Sequence, residues 1–261
     1  MKKLGLIGEK LGHSYSKIIH ERYFELDNKN EYTYDLIEIP MGNLPVEMER
    51  ISKEYDGINV TIPYKLDVME FLTSISPEAK KIGAVNTIKF TPDGAFGYNS
   101  DYFGFRSTLE NNGIDIEDRK VVILGTGGAS KAALAVCEDM GACSITFVTS
   151  GSKEVKGYTT ISYGDEIKGD VLINCTPVGM YPKMGVSPIA KLDQEFRAVV
   201  DMIYNPTVTE LMKQGEAIGA ITVNGLNMLV AQGIYSEAIW NDEEVNHDIV
   251  KAIFEELKLM F

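Results

Sequence analysis

The chain has 261 residues, 44% of them hydrophobic, enough for one large core or two modest ones, and two small domains are expected. Its 25 Lys and Arg against 38 Asp and Glu leave a formal net charge of −13, which repels polyphosphate backbones and anionic lipid. Neither nucleic acid nor a membrane surface is therefore expected as a partner, and an anionic substrate must be held locally.

The start, Met1 to Gly8, is a short apolar run that meets Glu9 and Lys10 without a cleavage-like site, and reads as a first strand. No apolar segment approaches the roughly 18 residues needed to span a bilayer, so a soluble, cytoplasmic protein is expected. Short apolar runs then alternate with amphipathic stretches, the pattern of parallel strands joined by crossovers, which makes the fold class α/β. Lys3 to Gly8, Tyr34 to Ile39 and Gly57 to Ile62 read as strands. Between them Ser16 to Leu26 sets Ile19, Tyr23 and Leu26 on one helical face, and Leu44 to Tyr55 does the same for Leu44, Met48 and Ile51. A hairpin follows, Ala84 to Phe90 and Ala95 to Asn99, joined by Thr91-Pro92-Asp93-Gly94.

A second α/β unit begins at Lys120, with Val121 to Leu124 as a fully apolar strand and Ala129 to Met140 as the helix after it. Ser144 to Val148, Val171 to Asn174, Ala198 to Ile203 and Ala220 to Val223 are further strands, with Thr207 to Ile218 a helix between the last two. The closing helices, Leu226 to Trp240 and Glu243 to Leu259, have two homes open to them; the last can return to the N-terminal unit and make that domain discontinuous. Tyr102 and Gly225 mark the hinge candidates. Cys137, Cys143 and Cys175 are odd in number, lack metal-ligand spacing and lie in apolar surroundings, so they are expected to be inert buried thiols. His13, His20 and His247 are scattered, and no metal site is expected.

Gly125-Thr126-Gly127-Gly128-Ala129-Ser130 lies between an apolar strand and a helix, the context in which a glycine-rich turn binds a dinucleotide. Gly125 permits the tight turn, Gly127 lets the backbone approach a pyrophosphate, and free N–H groups at the helix start supply positive charge. Ser130 replaces the third glycine and is small enough for close packing. After the second strand, where NAD-binding folds carry an acidic residue, the chain reads Thr149-Ser150-Gly151-Ser152-Lys153. Hydroxyls of Thr149, Ser150 and Ser152 with the Lys153 ammonium suit a 2′-phosphate and favour NADP over NAD, although an ordinary polar loop reads the same way.

Three polar clusters in the first unit fall at strand ends or at the hairpin, where open α/β sheets bind ligands: Gly12-His13-Ser14-Tyr15-Ser16, Asn59 to Lys65, and Asn86 with Asn99-Ser100-Asp101. Singly each has a structural explanation. Ser14 and Ser16 suit helix caps, Asn59 and Thr61 the polar face of a strand, and Lys65 with Asp101 a surface ion pair. Together they suit a small polyol acid, with serine hydroxyls for a carboxylate, amides and hydroxyls for ring hydroxyls, and a lysine and aspartate for proton transfer during hydride transfer. Desolvation lowers a lysine pKa and an adjacent aspartate raises it, so the two effects oppose.

These segments, with Gly83-Ala84-Val85-Asn86-Thr87, Asn99 to Gly104, Asn174 to Met180, Asp201 to Pro206, Gly225-Leu226 and Gln232, resemble the shikimate dehydrogenase family across essentially the whole chain. The resemblance implies a substrate-binding domain of residues 1–101, completed by C-terminal helices 226–261, and a Rossmann-like nucleotide domain of residues 102–225, with the active site in the cleft between them. It implies reversible, NADPH-dependent reduction of 3-dehydroshikimate to shikimate. Ser14 and Ser16 would bind the substrate carboxylate; Asn59, Thr61, Asn86 and Gln232 would hold hydroxyls or orient the ring; Lys65 and Asp101 would form the catalytic pair. Tyr204 would line the substrate site, and Met202 and Gly225 would contact the nicotinamide half.

The chain departs from the family after its second nucleotide-domain strand, where NADP-preferring members carry Asn-Arg and a hydroxyl residue, and here Thr149, Ser150 and Gly151 stand. The stretch to Asp170 is short and without an evident helix, so an unusual adenosine pocket is expected. A quinate/shikimate dehydrogenase using NAD is the nearest alternative. A non-catalytic nucleotide or metabolite sensor on the same fold is the alternative of a different class. The presence of both Lys65 and Asp101 argues against the sensor.

Overall fold

The structure is a computed structural model that describes residues 1–12, 14–151, 154–193 and 195–261. It is a two-domain α/β fold of two compact units, Met1–Gly104 with Val230–Glu255, and Phe105–Leu229 with Glu256–Phe261.

In the first unit, β1 (Lys2–Gly8), β2 (Tyr32–Glu38), β3 (Gly57–Val60), β4 (Ser74–Ile75), β5 (Thr87–Thr91) and β6 (Gly94–Tyr98) make one mixed sheet in the order β2-β1-β3-β5-β6-β4. β1 pairs in parallel with both β2 and β3, because α1 (Ser16–Leu26) and α2 (Leu44–Glu54) return the chain across the sheet. The hairpin β5-β6 is antiparallel, and Gly94 at its turn takes φ +131°, a conformation that favours glycine. Leu44, Met48 and Ile51 of α2 pack on Ile7, Ile58, Val60 and Ile88 of the sheet, as their helical spacing leads one to expect.

Two features of this unit differ from the expectation. The short helix α3 (Pro77–Ile82) was not anticipated, although its end signals are present: Ser76 accepts from the Ala79 N–H at 3.2 Å, and Gly83 closes it in the left-handed region. The buried face of α1 is Ile19, His20, Tyr23 and Phe24, while Leu26 is only partly covered. The helix is turned so that His20 faces inward, its ring stacked on Tyr34 with centroids 4.0 Å apart.

His20 has a partner on α7 (Leu226–Asn241): its Nδ1 lies 2.6 Å from Glu237 Oε1, and both side chains are 0% exposed. Trp240 of the same helix donates from Nε1 to Ile88 O at 2.9 Å. Its ring lies where a Cβ on Gly57 would be, 2.3 Å away, which accounts for a glycine inside β3.

In the second unit, β7 (Lys120–Leu124), β8 (Ser144–Thr149), β9 (Thr159–Ser162), β10 (Val171–Asn174), β11 (Ala198–Asp201) and β12 (Ile221–Val223) form an all-parallel sheet in the order β12-β11-β10-β7-β8-β9. This is the doubly wound order of a dinucleotide-binding fold, with the reversal at β7 and β10. The buried residues of β7, β10 and β11 are apolar except for Asn174 and Asp201 at the C-terminal ends of β10 and β11, as suits parallel strands covered on both faces. α5 (Gly128–Asp139) follows β7, and α6 (Glu210–Ala217) is capped by Thr209, whose side chain accepts from the Met212 N–H at 3.3 Å. β9 was not expected; it is an edge strand with no fully buried residue, and its Thr-Thr-Ile-Ser sequence carries little apolar signal. Among the described residues no helix lies between β8 and β9. α8 (His247–Leu257) closes the chain.

The expectation of three buried thiols holds in part. Cys137 is buried, Cys175 is partly covered, and Cys143 is exposed just before β8, where the chain leaves α5 for the surface. Among the described residues no helix is long and apolar enough to cross a membrane.

The buried His20–Glu237 pair gives a stability test. Glu237→Ala leaves an imidazole enclosed without its hydrogen-bond partner and is expected to lower the unfolding free energy by about 2 kcal/mol in urea titration. The double variant His20→Leu/Glu237→Leu should recover most of that loss. A loss under about 0.5 kcal/mol for Glu237→Ala would show that the pair contributes nothing beyond an exposed contact.

Candidate active site

In the first unit, Lys65 lies in the turn after β3, where its carbonyl accepts from the Val85 N–H at 2.9 Å. Its Nζ donates to Asp101 Oδ2 at 2.7 Å, with the two side chains 28% and 21% exposed. Asp101 is in the first turn of α4 (Ser100–Asn111), where free N–H groups favour a carboxylate. The pair is thus half-sheltered and reachable, unlike a surface ion pair.

Asn86 and Ser100 set the frame around it. Asn86 Oδ1 accepts from the Ser100 N–H at 2.7 Å and from the Ser100 hydroxyl at 3.2 Å. Among the described residues nothing accepts from Asn86 Nδ2. The Ser100 hydroxyl also reaches Gln232 Oε1 on α7 at 3.4 Å. Asn59 differs: it is buried, its Oδ1 accepts from the Tyr34 hydroxyl at 2.8 Å, and its Nδ2 reaches Asn86 O, Thr87 Oγ1 and Ser236 Oγ at 3.2, 3.1 and 2.8 Å. The Asn59 amide is therefore committed to the protein.

Thr61 follows β3, with its N–H on Ile7 O at 2.9 Å and a hydroxyl that bonds to no described residue. Its methyl would lie 2.6 Å from a Cβ on Gly8, so glycine at the end of β1 lets Thr61 come close. Ser14 and Ser16 flank the start of α1; their hydroxyls are 3.1 Å apart, and Ser14 Oγ accepts from the Ser16 N–H at 3.2 Å, while the Tyr15 N-cap makes no side-chain cap. His13 lies outside the described residues.

In the second unit, Gly125 takes φ +90° and donates its N–H to Val148 O at 2.9 Å, pinning the turn to β8. Gly127 is the N-cap of α5 and gives no side-chain cap, and ideal Cβ atoms on Gly127 and Gly128 would meet nothing within 4 Å. The first-turn N–H groups of α5, from Gly128 and Ala129 onward, thus lie beside open space, an anion-binding arrangement. Ser130 is buried and donates to Gly127 O at 2.7 Å, which fastens the turn in place of the third glycine.

Gly125, Thr126, Thr149, Ser150, Tyr163 and Thr176 line a cavity of about 740 Å³, together with Pro177, Val178, Ser187 and Pro188. Ser152 and Lys153 lie outside the described residues. Met202 donates its N–H to Asn174 O at 3.0 Å, and its carbonyl oxygen would lie 2.1 Å from a Cβ on Gly225, so only glycine fits there. Tyr204 packs edge-on against Phe261 at 5.3 Å.

The chain matches a family model described as the shikimate dehydrogenase substrate binding domain over residues 6–88. It is 43% identical to a shikimate dehydrogenase (NADP(+)) of Clostridium beijerinckii over 97% of both chains. The chain belongs to the shikimate dehydrogenase family. Among solved structures, a chorismate mutase/shikimate 5-dehydrogenase fusion protein from Clostridium acetobutylicum is 44% identical, with a TM-score of 0.92 over 100% of this chain and 98% of that one. A shikimate dehydrogenase solved in complex with NADP+ is 33% identical, with a TM-score of 0.88 over 98% of this chain and 95% of that one.

Within this shikimate dehydrogenase fold the structure bonds Lys65 to Asp101, links Asn86, Asn59 and Gln232 in a separate network through Ser100 and Ser236, and sets Gly125, Thr126, Thr149 and Ser150 around one cavity. Residues that sequence reasoning missed are Ser236 and Thr87, which join that network, and Tyr163, which lines the cavity beyond β9. Ser236 sits four residues after Gln232, one helical turn on, and that spacing was a usable signal. Tyr163 had none, because β9 itself was not legible.

Asp201 ends β11 with its carboxylate fully enclosed. Oδ1 accepts from Asn174 Nδ2 at 2.9 Å and the Ile203 N–H at 3.1 Å, and Oδ2 from the Thr209 hydroxyl at 2.7 Å. Burial pushes its pKa up, outweighing these hydrogen bonds, which push it down. A carboxyl whose folded pKa lies above its unfolded value stabilises most below the unfolded pKa of about 3.9 and loses that contribution as pH rises through the raised value. Relative to wild type, Asp201→Asn is therefore expected to gain stability as pH rises from about 4, read by urea midpoints at constant m-value. A stability difference that is flat with pH would show that Asp201 titrates alike in both states.

Proposed function

We propose that this chain is an NADP-dependent shikimate dehydrogenase, catalysing the reversible reduction of 3-dehydroshikimate to shikimate on the route to aromatic amino acids, in the cytoplasm. The observation that carries the reading is the Lys65–Asp101 pair, bonded at 2.7 Å in a frame of amides and hydroxyls. In this reading residues 1–101 with 226–261 form the substrate domain, and residues 102–225 the nucleotide domain.

Oxidising a secondary alcohol needs a base to take the hydroxyl proton as hydride leaves carbon. Lys65 in its neutral form takes that proton at Nζ, and in the reductive direction its ammonium returns a proton to the forming alkoxide. Asp101 orients Nζ and balances its charge. Ser14 and Ser16 hold the substrate carboxylate; Thr61, Asn86 and Gln232 bind ring hydroxyls, with Asn59 orienting and Tyr204 lining. The uncapped start of α5 and the open space at Gly127 and Gly128 fit a pyrophosphate, so Gly125 to Ala129 hold it, Thr149, Ser150 and Lys153 the adenosine side, and Met202 and Gly225 the nicotinamide half. NADP, when bound, accepts the hydride and NADPH donates it.

Purified protein given shikimate and NADP is expected to generate reduced-cofactor absorbance, and no turnover with either nicotinamide cofactor would sink the reading. The lack of an arginine at Thr149-Ser150-Gly151 makes acceptance of NAD a second reading on cofactor alone, decided by comparing rates for shikimate and quinate with NADP and NAD. Lys65→Ala should hold KM for shikimate within about tenfold while kcat falls by roughly 10² to 10⁴. Unchanged turnover would remove Lys65 from the mechanism.

A further inference from the structure

The first unit contains a cluster of three buried hydroxyls that no step of the reaction uses directly. Ser236, on α7, stands at its junction. Its Oγ accepts from Asn59 Nδ2 at 2.8 Å, and lies 2.9 Å from Thr87 Oγ1, 3.1 Å from Ser100 Oγ and 3.0 Å from the Gln232 carbonyl oxygen. Thr87 and Ser100 are themselves 3.2 Å apart, so three buried hydroxyls close a triangle. Each hydroxyl has one proton and two lone pairs. The three protons must therefore be shared among one another, Asn86 Oδ1 and the two oxygens of Gln232, and the orientation of each depends on the other two.

The outlet of this triangle is Asn86. The Thr87 and Ser100 hydroxyls lie within donating distance of Asn86 Oδ1, at 3.0 and 3.2 Å, and the Ser100 N–H donates to it at 2.7 Å. With the carbonyl oxygen held on that side, Nδ2 is turned away from the triangle. Gln232 is held at the same point, through its carbonyl by Ser236 and through Oε1 by Ser100.

We propose that Ser236 is a positioning residue for substrate binding, acting through the Thr87–Ser100 triangle to aim the Asn86 amide and the Gln232 side chain at the ring hydroxyls of the substrate. The inference rests on the function proposed above. No side chain of the triangle bonds the Lys65–Asp101 pair, so the effect falls on substrate affinity more than on the chemical step.

The test is steady-state kinetics on the full chain with Ser236→Ala, Ser236→Cys and Ser236→Thr, with thermal midpoints measured alongside. Removing the hydroxyl leaves Asn59 Nδ2 and the two other hydroxyls short of a partner, and KM for shikimate is expected to rise about tenfold, typical for a lost buried hydrogen bond. The KM for NADP should stay within twofold and kcat within about threefold of wild type. Ser236→Thr, which keeps the hydroxyl, should restore most of the shikimate affinity. Should Ser236→Ala fail to fold, Ser236→Cys, of near-equal volume with a weak donor, answers the same question. A fall in thermal midpoint with the KM for shikimate unchanged would overturn the proposal, as would equal rises in both KM values. Absence of wild-type turnover in this assay sinks the proposed function and this inference with it, whereas turnover with an unaltered variant KM sinks this inference alone.

Discussion

The first N–H group of α4 has no partner within its own helix, and the protein satisfies it with the side chain of Asn86, at 2.7 Å. That one bond decides where α4 begins, and hence where Asp101, the next residue, presents its carboxylate. It also turns the Asn86 amide so that its N–H donors point away from the scaffold. Asn86 is in turn held by the sheet, its N–H on Tyr98 O at 3.0 Å and its carbonyl receiving the Val60 N–H at 2.8 Å. β3, the hairpin and α4 therefore meet at a single residue. Lys65 is reached from the same place, since its carbonyl accepts from Val85, immediately before Asn86. A proton-transfer pair needs an accurate separation, and here both members are held by hydrogen bonds to one short segment, Lys65 through the Val85 N–H and Asp101 through the Asn86 side chain at the start of α4.

The second unit solves a different problem with the same means. Phosphates are held at a helix start by N–H groups that a side-chain cap would otherwise occupy. Gly127 at the N-cap position gives no cap, while Ser130, one turn later, fastens the turn by bonding back to Gly127 O. The serine that departs from the glycine pattern thus adds a hydrogen bond to the turn and leaves the outward face clear.

Much of this was legible in the residue pattern because the relevant signals are local. The strand, glycine turn and helix at β7 and α5 follow from a period change and a turn that needs Gly125. The pairing of Lys65 with Asp101 was legible, but what positions it was not, because the bond joins positions 36 apart through a helix start whose first N–H is held by the Asn86 side chain. His20 looked scattered since its partner Glu237 lies 217 residues away on α7. Asn59 and Thr61 alternate along one stretch and looked equivalent. Tertiary contacts separate them, tying the Asn59 amide into the core and leaving the Thr61 hydroxyl unbonded among the described residues. Periodicity reports which face a residue is on, and cannot report how many partners it finds there.

A net charge of −13 bears on how anions are held by such a protein. On the proposed reading, the substrate carboxylate meets serine hydroxyls, the pyrophosphate meets main-chain N–H groups, and the described lining of the cavity beside the turn carries no charged side chain. Neutral donors exert no pull beyond hydrogen-bond range, while the overall field of an acidic chain repels the ligand until it is close. Affinity must then come from the number and aim of short contacts. Aim is what buried networks confer, because each donor inside one is held by several bonds and loses little freedom when the ligand arrives. The Asn86–Ser100–Ser236 network and the fastened turn at Ser130 are thus two answers to one constraint: where the donors are neutral, they are oriented before the ligand enters.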